Sequence, residues 1–344
     1  MRKIKWLVVL FFVLGFLSSC QDREEIEEIP FDNPELPLEI PMDFPAMNSS
    51  VQGNKPTKYG VELGKMLFNE KRFSGNNTIS CASCHRPEKA FSDENPKSIG
   101  VYNRVGLRNT PPVQNMAFMR HYNWDGNILQ LEKQPLVPII THEEMNSSIM
   151  EVIGKLRDDP TYKEMFRKAF GDEQITADRI YKSIVQFEYT LISANSKYDR
   201  VMHAAKERFT DSEERGFRLF EAKCKSCHST GLFTDQTFRN IGFPVNPDTE
   251  EAGRARVTGD PKDWMSYRVP SLRNIEFTAP YGSFGQFKTL KDVLDYMDQG
   301  VLYAENLDPI FKANGNRLPM NEEEKADIIA FLKTLSDHSF VAQK

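Results

Sequence analysis

Cys81-Ala82-Ser83-Cys84-His85 and Cys224-Lys225-Ser226-Cys227-His228 decide how this chain is read. In each string two cysteines three positions apart are followed at once by a histidine. That is the attachment pattern of c-type haem: two thiols add to the haem vinyl groups and the histidine supplies the proximal ligand to iron. Cys-x-x-Cys alone would also suit a zinc half-site or a dithiol redox pair. The immediate histidine disfavours both, and only His121, His142, His203 and His338 remain as further zinc ligands. The strings stand 143 residues apart, which gives each haem its own domain. Two irons on one polypeptide point to redox chemistry.

The fifth cysteine, Cys20, closes a different kind of segment. Arg2, Lys3 and Lys5 precede an apolar run from Trp6 to Phe16, too short to span a bilayer as a helix, where about 20 residues are needed. Leu17-Ser18-Ser19-Cys20 then resembles a bacterial lipobox, with cleavage before Cys20 and acylation of its thiol; the alternative is an ordinary signal peptide with a chance cysteine. Either reading exports the chain, as a periplasmic or cell-surface lipoprotein if Cys20 is acylated. The formal net charge of -5 is concentrated next to this segment. Residues 21–40 carry eight acidic side chains against Arg23 alone, so the rest of the exported chain is near neutral. No basic stripe is evident, which argues against nucleic acid as a partner. Residues 21–47 also hold Pro30, Pro34, Pro37, Pro41 and Pro45, and read as an extended acidic tether.

With 344 residues there is room for two domains, here expected at 48–200 and 201–344. The pattern is all-α. Val61, Leu63, Met66, Leu67 and Phe68 are spaced for a helix over Tyr59 to Asn69. Thr176 caps a helix running to about Ser193, with Ile180, Ile184, Phe187 and Leu191 on one face. Thr210 with Glu213, and Asn321 with Glu324, are capping-box pairs opening two more helices. No run alternates with period two for long enough to predict a large sheet. Long glycine- and proline-rich stretches at 86–115 and 229–285 are expected to wrap the haems, and 194–210 to form a hinge.

The residues around the haem strings add a family resemblance. Leu63-Gly64-Lys65-Met66-Leu67-Phe68, Ile79-Ser80 before Cys81, Arg108-Asn109-Thr110-Pro111 and Trp124-Asp125-Gly126 resemble the bacterial di-haem cytochrome c peroxidases. So do Val257-Thr258-Gly259-Asp260-Pro261, Val269-Pro270-Ser271-Leu272-Arg273-Asn274 and Thr278-Ala279-Pro280-Tyr281. MauG-like enzymes, which oxidise a partner protein, share that fold. The resemblance covers about residues 55–335. It implies two cytochrome c-like domains and reduction of H₂O₂ with electrons from a small cytochrome c or cupredoxin. His85 would serve the peroxide-reacting haem, with Gln134 and Glu144 above it and Trp124 between the haems. Asn109, Thr278 and Pro280 match calcium-binding positions, chemically acceptable because Ca²⁺ takes side-chain and backbone oxygens. His228 would serve the electron-receiving haem, with Met297 as its second axial ligand; a shift of one residue would substitute Tyr296. Family peroxidases are commonly homodimers.

Two departures from the family pattern matter. A blocking histidine often follows a Ser-x-Gly string, but Ser98-Ile99-Gly100 is followed by Val101, which cannot ligate iron. The first haem would then rest open or be held by His121, His142 or Met116. Ser283 stands where the family usually has a histidine beside the second haem. The alternatives to a peroxidase are a MauG-like oxidase and a non-catalytic di-haem electron carrier.

Overall fold

The computed structural model describes residues 31–203, 207–249 and 251–342. Two helix pairs carry the architecture. In the first, Lys58–Phe68 packs on Ala177–Thr190; in the second, Asp211–Lys223 packs on Glu322–Lys333. The caps that the sequence predicts are in place. Thr176 accepts a backbone N–H from the first turn of its helix, and Thr210–Glu213 and Asn321–Glu324 form reciprocal capping boxes; Thr57, not anticipated, caps the first helix in the same way. The Thr176-capped helix stops at Thr190, short of Ser193. Asn115 takes over there: its side chain accepts from Ser193 N at 2.8 Å and donates to Ser193 O at 3.2 Å, replacing the next helical bonds. Among the described residues, the only paired strands are Phe238–Arg239 and Tyr267–Arg268, antiparallel.

A glycine brings each pair together. A Cβ on Gly64 would lie 1.9 Å from the Ser183 carbonyl oxygen, and one on Gly216 would lie 1.9 Å from that of Asp327. Backbone contact this close lets the flanking apolar rows interlock. Leu63, Leu67, Phe68, Ile180, Ile184 and Phe187 form one core. Phe220, Ile328, Phe331 and Leu332 belong to a second. The expected boundary at 200/201 is not respected by the packing. Tyr198 packs into the second core, and Phe340 crosses back into the first, 5.5 Å from Phe91.

Two expectations about flexible segments are corrected. The tether expected over 21–47 is docked on the body from Asn33 onward; residues 21–30 lie outside the described ones. Asn33 donates to Thr57 Oγ1 at 3.0 Å and Ala169 O at 2.9 Å, and accepts from Tyr59 N at 3.0 Å. Phe44 is buried against Phe118 and beneath the Arg273 guanidinium, 4.7 Å away. Asn33 and Phe44 hold this proline-rich segment down, which proline density alone does not report. The stretch read as a hinge is likewise fastened where it begins. Ser193 and Asn195 donate to Asp337, and Asp199 forms a buried two-point ion pair with Arg273 at 2.8 and 2.9 Å.

In an ordinary helix, alanine is more stabilising than glycine by about 1 kcal/mol. At Gly64 and Gly216 the sign should reverse. Gly216→Ala is expected to destabilise the haem-loaded protein by roughly 1–3 kcal/mol, because the helices must separate to admit the methyl group. Urea unfolding measures this, and a gain in stability would contradict the packing described.

Candidate haem sites

The two Cys-x-x-Cys-His strings fold alike. In each, the histidine N–H bonds to the carbonyl of the first cysteine, His85 to Cys81 at 2.9 Å and His228 to Cys224 at 3.0 Å. Each imidazole then directs Nδ1 at a backbone carbonyl, His85 at Phe91 O (2.8 Å) and His228 at Phe233 O (3.1 Å). A carbonyl can only accept, so Nδ1 carries the proton and Nε2 keeps its lone pair. Burial pushes both imidazoles toward the neutral form that a metal requires. The accepting carbonyls belong to phenylalanines with left-handed backbones, φ 58° at Phe91 and 54° at Phe233. That conformation costs about 1–2 kcal/mol for a side chain with a Cβ. Both rings are sunk in the cores, Phe91 against Phe68, Phe187 and Phe340, and Phe233 against Tyr198, Phe220 and Phe331.

A cavity of about 530 Å³ joins the first string to the residues expected above it. Cys81, Cys84, His85, Trp124, Gln134 and Glu144 all face it. Burial pushes the Glu144 carboxyl above its usual range, and neighbouring Glu143 adds to the shift. The loop bearing Val101 supports this glutamate. Val101 N donates to Glu144 O at 2.8 Å, and a Cβ on Gly100 would lie 2.0 Å from Glu143 O. Val101 is buried and does not line the cavity. Of the three alternative ligands, Met116 lines it. His142 is exposed beside Glu143, and His121 packs edge-on against Phe238.

Trp124 donates Nε1–H to Asn109 O at 2.9 Å, and Asn109 N donates to Ser283 O at 2.9 Å. The loops bearing Asn109 and Ser283 therefore meet, with Thr278 and Pro280 a few residues upstream of Ser283. In the second half, Met297 and Cys224 pack against one apolar core. Tyr296 points elsewhere: its hydroxyl donates to Gly242 O at 2.9 Å and its ring packs on Phe243 and Phe287.

Two cavity residues were not anticipated. Glu188 is 4% exposed, its Oε2 has no hydrogen-bond partner, and burial, reinforced by Glu132, pushes its carboxyl up to about 8. Its signal was present in the sequence, because position 188 falls four residues after Ile184 on the buried face of its helix. Arg268 faces the same space, and burial pulls its guanidinium down to about 10. Nothing in the local sequence marks it.

The residues fit a covalently attached haem. Two free thiols and an imidazole with a free Nε2 face one largely apolar cavity. Among the described residues, no cluster of three or more His, Cys, Asp or Glu side chains could hold a metal ion, so the cysteine pairs lack the further ligands zinc needs. Comparison with known proteins agrees. The family described as di-haem cytochrome c peroxidase matches residues 58–207. The methylamine utilization protein MauG of Methylorubrum extorquens is 36% identical, over 83% of this chain and 80% of its own length. The chain belongs to the di-haem cytochrome c peroxidase family. Another relative, cytochrome c551 peroxidase of Nitrosomonas europaea, is 35% identical over 80% of this chain and 79% of its own. Among solved structures, a MauG-like protein associated with microbial copper homeostasis superposes with a TM-score of 0.79 at 30% identity. It covers 90% of this chain and 97% of its own. Members of the di-haem peroxidase family thus include both peroxidases and MauG proteins among the relatives of this chain.

Glu188 should leave a pH signature in stability. Its folded carboxyl titrates near 8 against an ordinary 4.5, so across that window the folded state holds a proton that the unfolded state has lost. Stability therefore falls as pH rises from about 4.5 to about 8. Glu188→Gln removes this dependence. The variant should gain on the wild type over that window by an amount on the order of a few kcal/mol. Urea unfolding at both ends of the window checks it; parallel pH profiles would contradict the assignment.

Proposed function

We propose that the protein is a di-haem cytochrome c peroxidase that reduces H₂O₂ to two waters. Two electrons would come, one at a time, from a small c-type cytochrome or cupredoxin. One haem would be held by Cys81, Cys84 and His85, the other by Cys224, Cys227 and His228, each in a cytochrome c-like domain. The observation that supports the reading is one cavity lined by Glu144, Gln134 and the first haem string.

The haem held by Cys81, Cys84 and His85 would supply iron chemistry for O–O bond cleavage. Glu144 removes a proton from the near peroxide oxygen and returns it to the leaving oxygen, which departs as water. Its raised affinity for protons suits both halves of that transfer. Gln134 orients the peroxide by hydrogen bonding. The proton that Glu144 moves is the peroxide's own, so two further protons enter from solvent with the two electrons, and the remaining oxygen leaves as the second water. Trp124, fixed by Asn109, would relay electrons from the second haem, which His228 and Met297 would hold. Methionine there raises the potential and favours electron entry. The Tyr296 hydroxyl is committed to Gly242 O, which supports Met297 in that role.

Asn109, Thr278 and Pro280 are proposed to bind one Ca²⁺ where their loops meet. Cys20, outside the described residues, is proposed to carry the lipid that anchors the exported protein to a membrane, as a periplasmic or cell-surface lipoprotein. A homodimer is the proposed assembly. The second functional reading, a MauG-like oxidase, is favoured by the 36% identity to MauG; the commitment of Tyr296 away from the axial position weighs against it.

Glu144→Gln should lower kcat/KM for H₂O₂ by about 10²–10⁴ while both haem spectra are retained. Steady-state oxidation of reduced cytochrome c provides the measurement. Unchanged turnover would remove Glu144 from the proton path.

A further inference from the structure

We propose that Arg268 holds a propionate carboxylate of the haem in the 530 Å³ cavity. The proposal rests on the haem reading above and adds the residue that fixes the polar edge of the cofactor.

One wall of the cavity carries paired charges. Arg108 pairs with Asp125 and Glu251, and Arg256 pairs with Asp125. Burial alone would push the Asp125 carboxyl up, but Arg108 and Arg256 hold it below its ordinary range. Arg268 differs. Among the described residues no carboxylate lies within ion-pair distance of it. Its side chain makes only two long contacts, to Asn123 O at 3.4 Å and Val269 O at 3.5 Å. The cavity's other carboxyls, Glu144 and Glu188, are both pushed up by burial, and no cation offsets either shift. Arg268 therefore serves neither. It is the surplus cation of the cavity, partly buried and facing the space.

A partly buried guanidinium without an anion gains from one, and a carboxylate matches its planar fork in a two-point contact. Haem brings two carboxylates. The thiols of Cys81 and Cys84 fix the vinyl edge, and Arg268 lies on a wall outside the apolar core that contains Cys81. Its backbone is anchored: Arg268 N donates to Trp124 O at 2.9 Å, and residue 268 pairs with Phe238 across the short strand pair. The hydroxyls of Thr110 and Thr249 also line the cavity, buried and without partners. They are available to the remaining carboxylate oxygens.

The test uses haem-loaded wild type, Arg268→Gln and Arg268→Lys, with covalent haem at each cysteine pair counted by mass spectrometry. Resonance Raman of the propionate bending bands and the midpoint potential of the cavity haem are the readouts. With Gln, the bands should shift and the midpoint should fall, because a cation opposing the ferric charge has gone. With Lys, the midpoint should stay close to wild type while the bands still shift, since charge is kept and the two-point contact is lost. Should the Gln variant fail to accumulate, the wild type decides. Its propionate bands should not titrate between about pH 7 and about pH 4.5, since an arginine-paired carboxylate stays ionised there. Titration in that range, or unmoved bands and midpoint in the Gln variant with both haems attached, overturns the assignment. Absence of covalent haem at Cys81 and Cys84 overturns the haem reading along with it.

Discussion

Both candidate haem sites depend on one constraint: a phenylalanine held in a left-handed backbone conformation so that its carbonyl meets a histidine Nδ1–H. Phe91 and Phe233 do this at φ 58° and 54°. Neither would adopt that conformation in isolation. Each does so because its ring is locked in an aromatic core, which offsets the backbone cost and aims the carbonyl. The core thereby sets the tautomer of the imidazole and frees Nε2 for iron. Packing, backbone strain and ligand chemistry form one chain of causes, used once in each half of the molecule.

The halves are joined by polar groups as well as by apolar crossings such as Phe340 in the first core and Leu232 beside Phe118. Arg273 and Asp199 form an ion pair sealed from water, capped by Phe44 from the N-terminal segment. Burial would push the Asp199 carboxyl up, but Arg273 and Ser196 hold it below its usual range. Around it, Asn274 donates to Gln114 and Ser193, and Asp337 accepts from Ser193 and Asn195. Removing one member would leave a buried polar group unpaired, a loss larger than the bond itself. Such a seam resists sliding. It suits a molecule in which Trp124 and Arg268 reach one cavity from segments far apart in sequence.

What was legible in the sequence was local. The cysteine spacing, the caps at Thr176, Thr210 and Asn321 and the apolar faces of the long helices follow from short-range rules, and the structure has them. Gln134 and Glu144 were marked by family resemblance alone; their own sequence reads as an ordinary charged turn, and only the fold brings them to the cavity that His85 lines. The misread segments depended on distant partners. Asn33 finds Ala169 and Thr57, Phe44 finds Arg273, and Ser193 finds Asp337; no composition rule reports such pairings. Glu188 was half legible, as a glutamate on an apolar helix face. Val101 was read as the absence of a ligand, whereas the structure uses its backbone to hold Glu144.

The central claim is that electrons entering from a carrier protein are spent on peroxide. The most direct test is stoichiometry: H₂O₂ is added to the haem-loaded protein, with Ca²⁺ in the buffer, an excess of a reduced small cytochrome c and no other protein present. Two cytochromes should be oxidised for each peroxide consumed, sustained over many turnovers. Peroxide consumed while the cytochrome stays reduced would contradict it, and would assign the oxidising power to another substrate.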